Sequence, residues 1–429
     1  MKNIVLLKMD KDKILYLPKR YQYRKFENYL QHSQKNAYSV FTISKNVGRR
    51  IISMFFFILM TGKYIRSLNV SAESAIIMCA DSRDVIWSKN ADVPRAMAST
   101  TKIMTSLLTL EEAAAQGERS LEITDEMVRV EGSSMGLRVG DKVDLETLAK
   151  GMLLPSGNDA ANAAAILVCG SVEKFLKRMN DRAKQIGMKN TLFCTPSGLD
   201  KGDHHSTAYD MAVLGSYAIE NEQFAKIVSE KHSVVDFEDS DKKVWLKNHN
   251  KLLSMYPYCV GIKTGFTKKA GRCLVSCAEK DGIRLVCVTL DAPDDWNDHI
   301  SLYNFGFSKA KVMKFDDTNE SIDINVKDGE KTLKSIGSTY FSRTFASDVN
   351  PVRSIKIFEN LHAPIKKGQC VGKIIYKVND NVIGENLLTA LEDINCVKKG
   401  FFRSILNFFC SLFSNIIQFF SKLFVRKDS

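Results

Sequence analysis

The run AMASTTKIMTSLLTLEEA, residues 96–113, decides how this chain folds and where its chemistry lies. Apolar residues recur along it at helical spacing, which predicts a buried helix over residues 102–116. Ser99 and Lys102 stand three positions apart, and side chains three apart share one face of a helix. A serine and a lysine placed this way can act as nucleophile and base, provided that the lysine is neutral enough to accept a proton.

Two further motifs follow in the order that such a site requires: PSGN at residues 155–158 and IKTGFT at residues 262–267. Each motif alone has a plain structural interpretation, because a serine often only caps a helix and short motifs match by chance. Three motifs together, in this order, predict a catalytic site.

The motifs and the stretches around them resemble the serine-type D-Ala-D-Ala carboxypeptidases, the low-molecular-mass penicillin-binding proteins. The resemblance covers roughly residues 73–395, and its longest pieces are residues 77–111, 132–165, 193–214 and 361–394. It implies an α/β sandwich of the penicillin-binding-protein/β-lactamase type, in which helices flank an antiparallel sheet. A small all-β domain and a C-terminal amphipathic helix are expected to follow.

The pattern of elements along the chain agrees with this fold class. A strand–turn–strand unit is predicted over residues 74–87, and late strands over 259–264, 272–280 and 284–290. Further helices are predicted over residues 145–154, 158–168, 172–186, 207–219 and 299–312. Helices enclosed between an early hairpin and late strands imply one sheet that joins both ends of the domain.

Four segments are expected. Residues 1–72 form a basic leader with a signal peptide or N-terminal anchor, 73–312 the catalytic domain, 313–396 the small all-β domain and 397–429 the amphipathic helix. The helix has phenylalanine, leucine and isoleucine on one face and basic residues at its ends, a pattern typical of helices that bind membrane lipids. Packing on the β domain and a dimer seam are the alternatives.

The charge distribution argues against nucleic acid as a partner and favours export. Of the net charge of +12, residues 1–50 carry +9, from twelve basic and three acidic residues, so the +3 of the remaining chain gives no support for a basic groove. Arg49 and Arg50 precede an apolar run at residues 51–60, and Val70-Ser71-Ala72 fits a cleavage site. The run is about half of the ~20 residues that span a bilayer. We therefore expect an exported protein bound to the outer face of the cytoplasmic membrane.

The chemistry assigns the catalytic roles. Ser99 is the expected nucleophile and Lys102 its base, made neutral by burial and by a second cation nearby. Ser156 can link the lysines and pass a proton to the leaving amide nitrogen, and Asn158 can hold Lys102 and a substrate amide.

The third motif is expected to bind substrate. Lys263 supplies the second cation and, with Thr264, matches a terminal carboxylate. Gly265 leaves room for a substrate strand. The resemblance implies an oxyanion hole made by the backbone amides of Ser99 and Phe266. Neither a metal nor a cofactor is expected, and the ten cysteines are interpreted as mostly buried thiols.

The resemblance predicts a D-Ala-D-Ala carboxypeptidase that trims peptidoglycan stem pentapeptides and is acylated at Ser99 by β-lactam antibiotics. A DD-endopeptidase could use the same machinery. A β-lactamase is less favoured, because class A enzymes have S-D-N where this chain has Ser156-Gly157-Asn158. A wall-binding scaffold without activity is the non-enzyme alternative, and it would need none of the motif residues.

Overall fold

The computed structural model describes residues 3–5, 40–42, 68–117, 120–238, 242–397 and 401–424. The chain divides into two compact units, residues 1–67 and 68–429. In the first unit, β1 (Asn3–Val5) pairs antiparallel with β2 (Val40–Thr42). The apolar run at residues 51–60, predicted to belong to a signal peptide, lies outside the described residues.

The second unit contains a five-stranded antiparallel sheet that joins both ends of the predicted catalytic domain. Its strands, in spatial order, are β4 (Val85–Lys89), β3 (Ser74–Cys79), β11 (Ile283–Leu290), β10 (Gly271–Lys280) and β9 (Cys259–Thr267). β3 pairs with β11, so the early hairpin and the late strands share one sheet, as predicted. β9, which carries the K-T-G motif, is an edge strand.

Helices cover both faces of this sheet. They are α1 (Lys102–Gln116), α2 (Asp125–Val128), α3 (Leu145–Leu153), α4 (Asn158–Cys169), α5 (Val172–Ile186), α6 (Ala208–Ala218), α7 (Glu222–Ser229), α8 (Leu252–Met255) and α9 (Asp295–Lys309). Successive side chains of a strand point to opposite faces. Ile76 therefore joins the core with α1, while Ile77 joins the core with α9. This explains why β3 is apolar at nearly every position.

Two short hairpins lie outside the main sheet. β5 (Leu121–Glu122) pairs with β6 (Lys142–Val143), and β7 (His232–Asp236) pairs with β8 (Lys243–Lys247). Neither hairpin was predicted from the sequence.

The last predicted helix, residues 299–312, is wrong at both ends. α9 begins at Asp295, directly after Pro293-Asp294, and Asp295 and Asp298 occupy its first turn, where acidic side chains stabilise a helix. It ends at Lys309, and the next residues form β12 (Lys311–Asp316), in which Phe315 is buried and its neighbours are exposed. That alternation is the pattern of a half-buried strand.

The following residues form the predicted small all-β domain. β12 pairs with β15 (Tyr340–Phe345), and a second sheet has the order β13 (Ile322–Ile324), β14 (Leu333–Gly337), β18 (Asn381–Ala390), β17 (Cys370–Val378) and β16 (Val352–Ile357). Its core includes Leu333, Val371 and Leu388. Backbone amides of Thr344 and Ala346 bind the side chains of Asp81 and Asp84 in the β3–β4 turn, at 2.9 and 2.8 Å.

Helix α10 (Phe401–Phe424) forms where the amphipathic helix was predicted. Leu406, Phe413 and Ile417 are more than 60% exposed. Within the described part of the chain, no helix is long and apolar enough to cross a membrane. All ten cysteines are free thiols, and eight are buried or half-buried, as interpreted; Cys396 and Cys410 are exposed.

Residues 68–72 belong to the second unit, although the sequence boundary was placed after Ala72. The Ser71 hydroxyl and the Ala72 amide both donate to Asp298 of α9, at 2.7 and 3.1 Å. Val70 and Ala72 are buried beneath the same helix. The compact unit therefore starts at Leu68.

Candidate active site

Ser99 lies in a short 3₁₀ helix, Ala98–Thr101, that runs directly into α1. Ala98 adopts a left-handed backbone conformation with φ of 48°, which is uncommon outside glycine and costs free energy. The loop carrying Gly198 packs against this turn: a Cβ at Gly198 would lie 2.0 Å from the Ala98 carbonyl oxygen. The turn that presents the hydroxyl is thus fixed by close backbone packing.

Lys102 is fully buried, and its Nζ has three partners. It lies 2.9 Å from Ser99 Oγ, 2.7 Å from Asn158 Oδ1 and 2.7 Å from the Ser197 carbonyl oxygen. Burial lowers the pKa of Lys102 well below the ordinary lysine value, and the charge of Lys263 lowers it further. The neutral amine is therefore favoured far more than in an exposed lysine.

The geometry shows how a neutral Lys102 would be oriented. A neutral amine has two hydrogens and one lone pair. The Ser197 carbonyl and Asn158 Oδ1 have no proton to give, so each must accept one of the two hydrogens. The lone pair is then left facing Ser99 Oγ, which is the orientation needed to accept the hydroxyl proton.

Asn158 is held by the loop that contains Glu131 and Ser133. Its Nδ2 donates to the Glu131 carbonyl at 2.6 Å, which fixes Oδ1 toward Lys102, and its backbone amide binds the Ser133 carbonyl at 2.6 Å. Asn158 is only 4% exposed. Contact between this amide and a substrate remains a prediction. The preceding Ser156 is buried, with φ of 68°.

The K-T-G strand lies against the turn that carries the nucleophile. A Cβ at Gly265 would be 3.1 Å from the backbone nitrogen of Ser99, so the absence of a side chain permits this approach. Lys263 is 1% exposed, and its Nζ donates to the Thr264 carbonyl at 3.0 Å. Burial lowers the pKa of Lys263 to about 7. The neutral form of Lys263 is therefore favoured more than in an exposed lysine.

His204 supports the same turn through Thr101. Its Nδ1 accepts from the Cys194 amide at 3.0 Å, so Nε2 carries the proton and donates to Thr101 Oγ1 at 2.8 Å. Burial lowers the pKa of His204 to about 4. The neutral imidazole thus connects the Cys194 backbone to Thr101 by two hydrogen bonds and has a structural role. His205 Nδ1 lies 2.7 Å from the Asp203 carbonyl and is not in this cluster.

An open cleft of about 610 Å³ passes over the nucleophile. Its lining includes five of the predicted site residues: Ser99, Ser156, Thr264, Gly265 and Phe266. Lys102 and Asn158 do not line the cleft. They are connected to it by hydrogen bonds: Lys102 binds Ser99 Oγ, and Asn158 binds Lys102. Ser133 also lines the cleft, whereas the neighbouring Met135 is buried.

Sequence reasoning missed the cationic residues of the cleft. Arg272 stands opposite Phe266 in the β9–β10 pair and donates from Nη2 to Asp295 Oδ1 at 2.6 Å, with its guanidinium 5.4 Å from the centre of the Trp296 ring. Lys247, His249 and Lys251 also line the cleft. The sequence could have indicated Arg272, because pairing the strands on either side of the turn at residues 268–270 places it opposite Phe266.

The comparisons with known proteins agree with this architecture. The family described as D-alanyl-D-alanine carboxypeptidase matches residues 61–294, just over half of the chain. The description "Penicillin-binding protein 5, C-terminal domain" matches residues 309–395. These two matches correspond to the α/β sandwich and to the all-β domain.

Individual relatives extend over most of the chain. D-alanyl-D-alanine carboxypeptidase DacF of Bacillus subtilis is 34% identical over 79% of this chain and 90% of its own length, and DacC of Escherichia coli is 34% identical over 80% and 89%. The crystal structure of penicillin binding protein 5 from Haemophilus influenzae is 29% identical, with a TM-score of 0.59, covering 76% of this chain and 98% of that one. The chain belongs to the D-alanyl-D-alanine carboxypeptidase family of penicillin-binding proteins and is a serine-type carboxypeptidase.

Proposed function

We propose that the protein removes the terminal D-alanine from peptidoglycan stem pentapeptides through an acyl-enzyme on Ser99. The observation that carries this proposal is the buried Lys102 Nζ, 2.9 Å from Ser99 Oγ and bound otherwise to two obligate acceptors. Neutral Lys102 takes the hydroxyl proton as Ser99 Oγ attacks the carbonyl carbon of the penultimate D-alanine.

The tetrahedral intermediate then collapses. Its oxyanion accepts hydrogen bonds from the backbone amides of Ser99 and Phe266, donors that are typically worth a few kcal/mol at the transition state. The carbon–nitrogen bond breaks, and the proton held by Lys102 reaches the leaving amine through the hydroxyl of Ser156. Water next attacks the ester as Lys102 accepts one of its protons. The bond between the acyl carbon and Ser99 Oγ then breaks, and Lys102 returns the proton to Oγ, which restores the serine hydroxyl and the neutral amine.

The cleft suits a substrate with a free terminal carboxylate. Thr264 offers a hydroxyl donor. Lys263 is buried and bound to the backbone of its neighbour, whereas Arg272 lines the cleft opposite Phe266, on the strand next to the K-T-G strand. Asp295 and Trp296 hold the guanidinium in position, and such a planar fork matches a carboxylate. We therefore assign recognition of the carboxylate to Thr264 and Arg272, with Lys263 acting mainly on the pKa of Lys102.

The same proposal places the enzyme outside the cell, at the outer face of the cytoplasmic membrane, with α10 lying among lipid headgroups. Apolar side chains of α10 are exposed, as an interfacial helix requires. The contacts of Ser71 and Ala72 with Asp298 favour a processing site before Leu68 rather than after Ala72. The mass of the exported protein would give the position of the cut.

The proposal is tested with two measurements on the full chain. A fluorescent penicillin should label Ser99, and the label should be absent from Ser99→Ala. D-alanine should be released from an acetylated pentapeptide, and much more slowly from the same peptide with an amidated C-terminus. No label and no released D-alanine would leave the scaffold alternative. Cleavage of cross-linked dimers without release from monomers would favour an endopeptidase.

A further inference from the structure

The β7–β8 hairpin exposes a face that the catalytic chemistry does not use. Val234 stands opposite Trp245 in this pair, with His232 opposite Lys247 on one side and Asp236 opposite Lys243 on the other. Opposed residues share a face of the ribbon. Trp245 is 74% exposed and Val234 40%, while Val235 and Leu246 on the other face pack into the helical core. The hairpin is therefore a supported ribbon with an indole on its outer face.

One end of this ribbon reaches the catalytic cleft: Lys247, the last residue of β8, lines it. Next to the other end of β8, Lys242 Nζ donates to the Gly136 carbonyl at 3.0 Å and to Asp141 at 2.6 Å. β8 thus runs from the cleft wall at Lys247 toward the loop that contains Gly136 and Asp141. Trp245 lies between these two points, two residues from Lys247 and on the same face of the ribbon.

We propose that the exposed face of β7–β8 is a docking surface for a sugar ring of the glycan strand that carries the stem peptide. This inference rests on the proposed function. The flat indole of Trp245 offers a rigid apolar surface for the C–H face of a hexosamine, and tryptophan is enriched at the centres of binding surfaces. Lys247, Lys243 and His232 surround it with donors for hydroxyl, acetamido and carboxylate oxygens.

Ser99 and Lys247 line the same cleft, so a peptide bound along it can extend from the nucleophile toward the ribbon. Trp245 lies two residues from Lys247, or about 7 Å along the strand. In the proposed complex, the stem peptide occupies the cleft with its scissile carbonyl at Ser99, and the sugar joined to its first residue lies on the Trp245 face of the ribbon.

The test compares two substrates with one reactive group, a free pentapeptide and the same pentapeptide attached to its disaccharide. Trp245→Ala should raise KM for the disaccharide substrate about tenfold, a typical cost of truncating an aromatic anchor. For the free peptide, neither kcat nor KM should change. Trp245→Phe should recover most of the loss. Tyr340→Ala is the matched control, because Tyr340 is 71% exposed on the all-β domain.

Equal kinetics on both substrates in every variant, or equal losses on both, would overturn the docking surface. Failure of the proposed function is separately recognisable, because it appears as no D-alanine release from either substrate. In that case, sedimentation of Ser99→Ala with isolated cell wall still tests the surface. Adding Trp245→Ala to that protein should reduce the bound fraction, and an unchanged fraction would contradict the proposal.

Discussion

Two buried charge networks, one in each domain, are built in opposite ways. In the all-β domain, Asp317 is 3% exposed and is paired with Arg353 at 3.0 Å, Tyr376 at 2.8 Å and Asn386 at 3.2 Å. In the catalytic domain, Lys102 is bound by neutral groups alone.

Asp159 follows Asn158 in the sequence, but its carboxylate makes no hydrogen bond to Lys102. Its oxygens accept from the Ser134 hydroxyl at 2.5 Å and from the amides of Met135, Gly136 and Leu137 at 2.9 to 3.1 Å. A buried charge with an opposite partner keeps its charge and stabilises a domain, whereas one without such a partner shifts its pKa and becomes available for proton transfer. The contrast separates a structural network from a catalytic one.

Removing the lysine of the catalytic network should have the largest effect. Lys102→Ala is expected to lower the rate of Ser99 acylation by about 10³-fold or more, because the proton acceptor is lost. The measurement is the rate of labelling by a fluorescent penicillin. Lys174→Ala, an exposed helical lysine, is the control and should label at the normal rate. Wild-type acylation in Lys102→Ala would show that another group is the base.

Breaking the structural network should act on stability and leave the chemistry intact. Asp317→Ala leaves Arg353, Tyr376 and Asn386 without their common acceptor and is expected to cost about 2–4 kcal/mol of unfolding free energy. Denaturant unfolding of the all-β domain measures this cost. Asp348→Ala removes an exposed ion pair with Lys311 and should change little. A loss of acylation at Ser99 in Asp317→Ala would contradict the separation of the two networks.

Burial of Lys263 should also make the unfolding free energy depend on pH. Lys263 has a pKa of about 7 in the folded chain and about 10.4 when unfolded. Between these values the unfolded state binds more protons, so the unfolding free energy should rise with pH, by at most about 1.4 kcal/mol per unit from this group. Lys263→Met should lack this part of the rise.

The experiment follows the urea midpoint from pH 6 to pH 10. Lys174→Met, which replaces an exposed lysine of α5 by the same side chain, provides the comparison. Identical slopes in the wild type and in Lys263→Met would mean that Lys263 remains charged in the folded protein.

Elements with local signals were predicted well. α5 was predicted at its observed bounds, because Ser171 caps its first turn and Gly187 ends it in a left-handed conformation. α9 was misplaced because its sequence carries the helical pattern past Lys309, where pairing with β15 takes over. The β7–β8 hairpin was missed because apolar Val234 and Trp245 lie on its exposed face, so polar and apolar residues do not alternate along its strands.

The candidate site divides along the same line. Ser99 and Lys102 were identified because their spacing along one helix is a local property. Arg272 was missed because it reaches the cleft only through the register of β10 against β9. Carboxylate binding by Lys263 and Thr264 stays a prediction. We propose Arg272 in place of Lys263 because Lys263 is buried at the packed sheet edge, which the sequence did not reveal.

The sequence by itself determined which chemical groups are present, their order and the helical spacing that puts a hydroxyl beside an amine. Only the tertiary structure decided how acidic that amine is. Desolvation lowers its pKa most, the charge of Lys263 lowers it further, and the charge of Asp159 opposes the shift; all three arise from parts of the chain far from Lys102 in the sequence. Spacing along a helix determines which side chains point the same way, whereas the pKa of a lysine depends on its burial and on the charges packed around it.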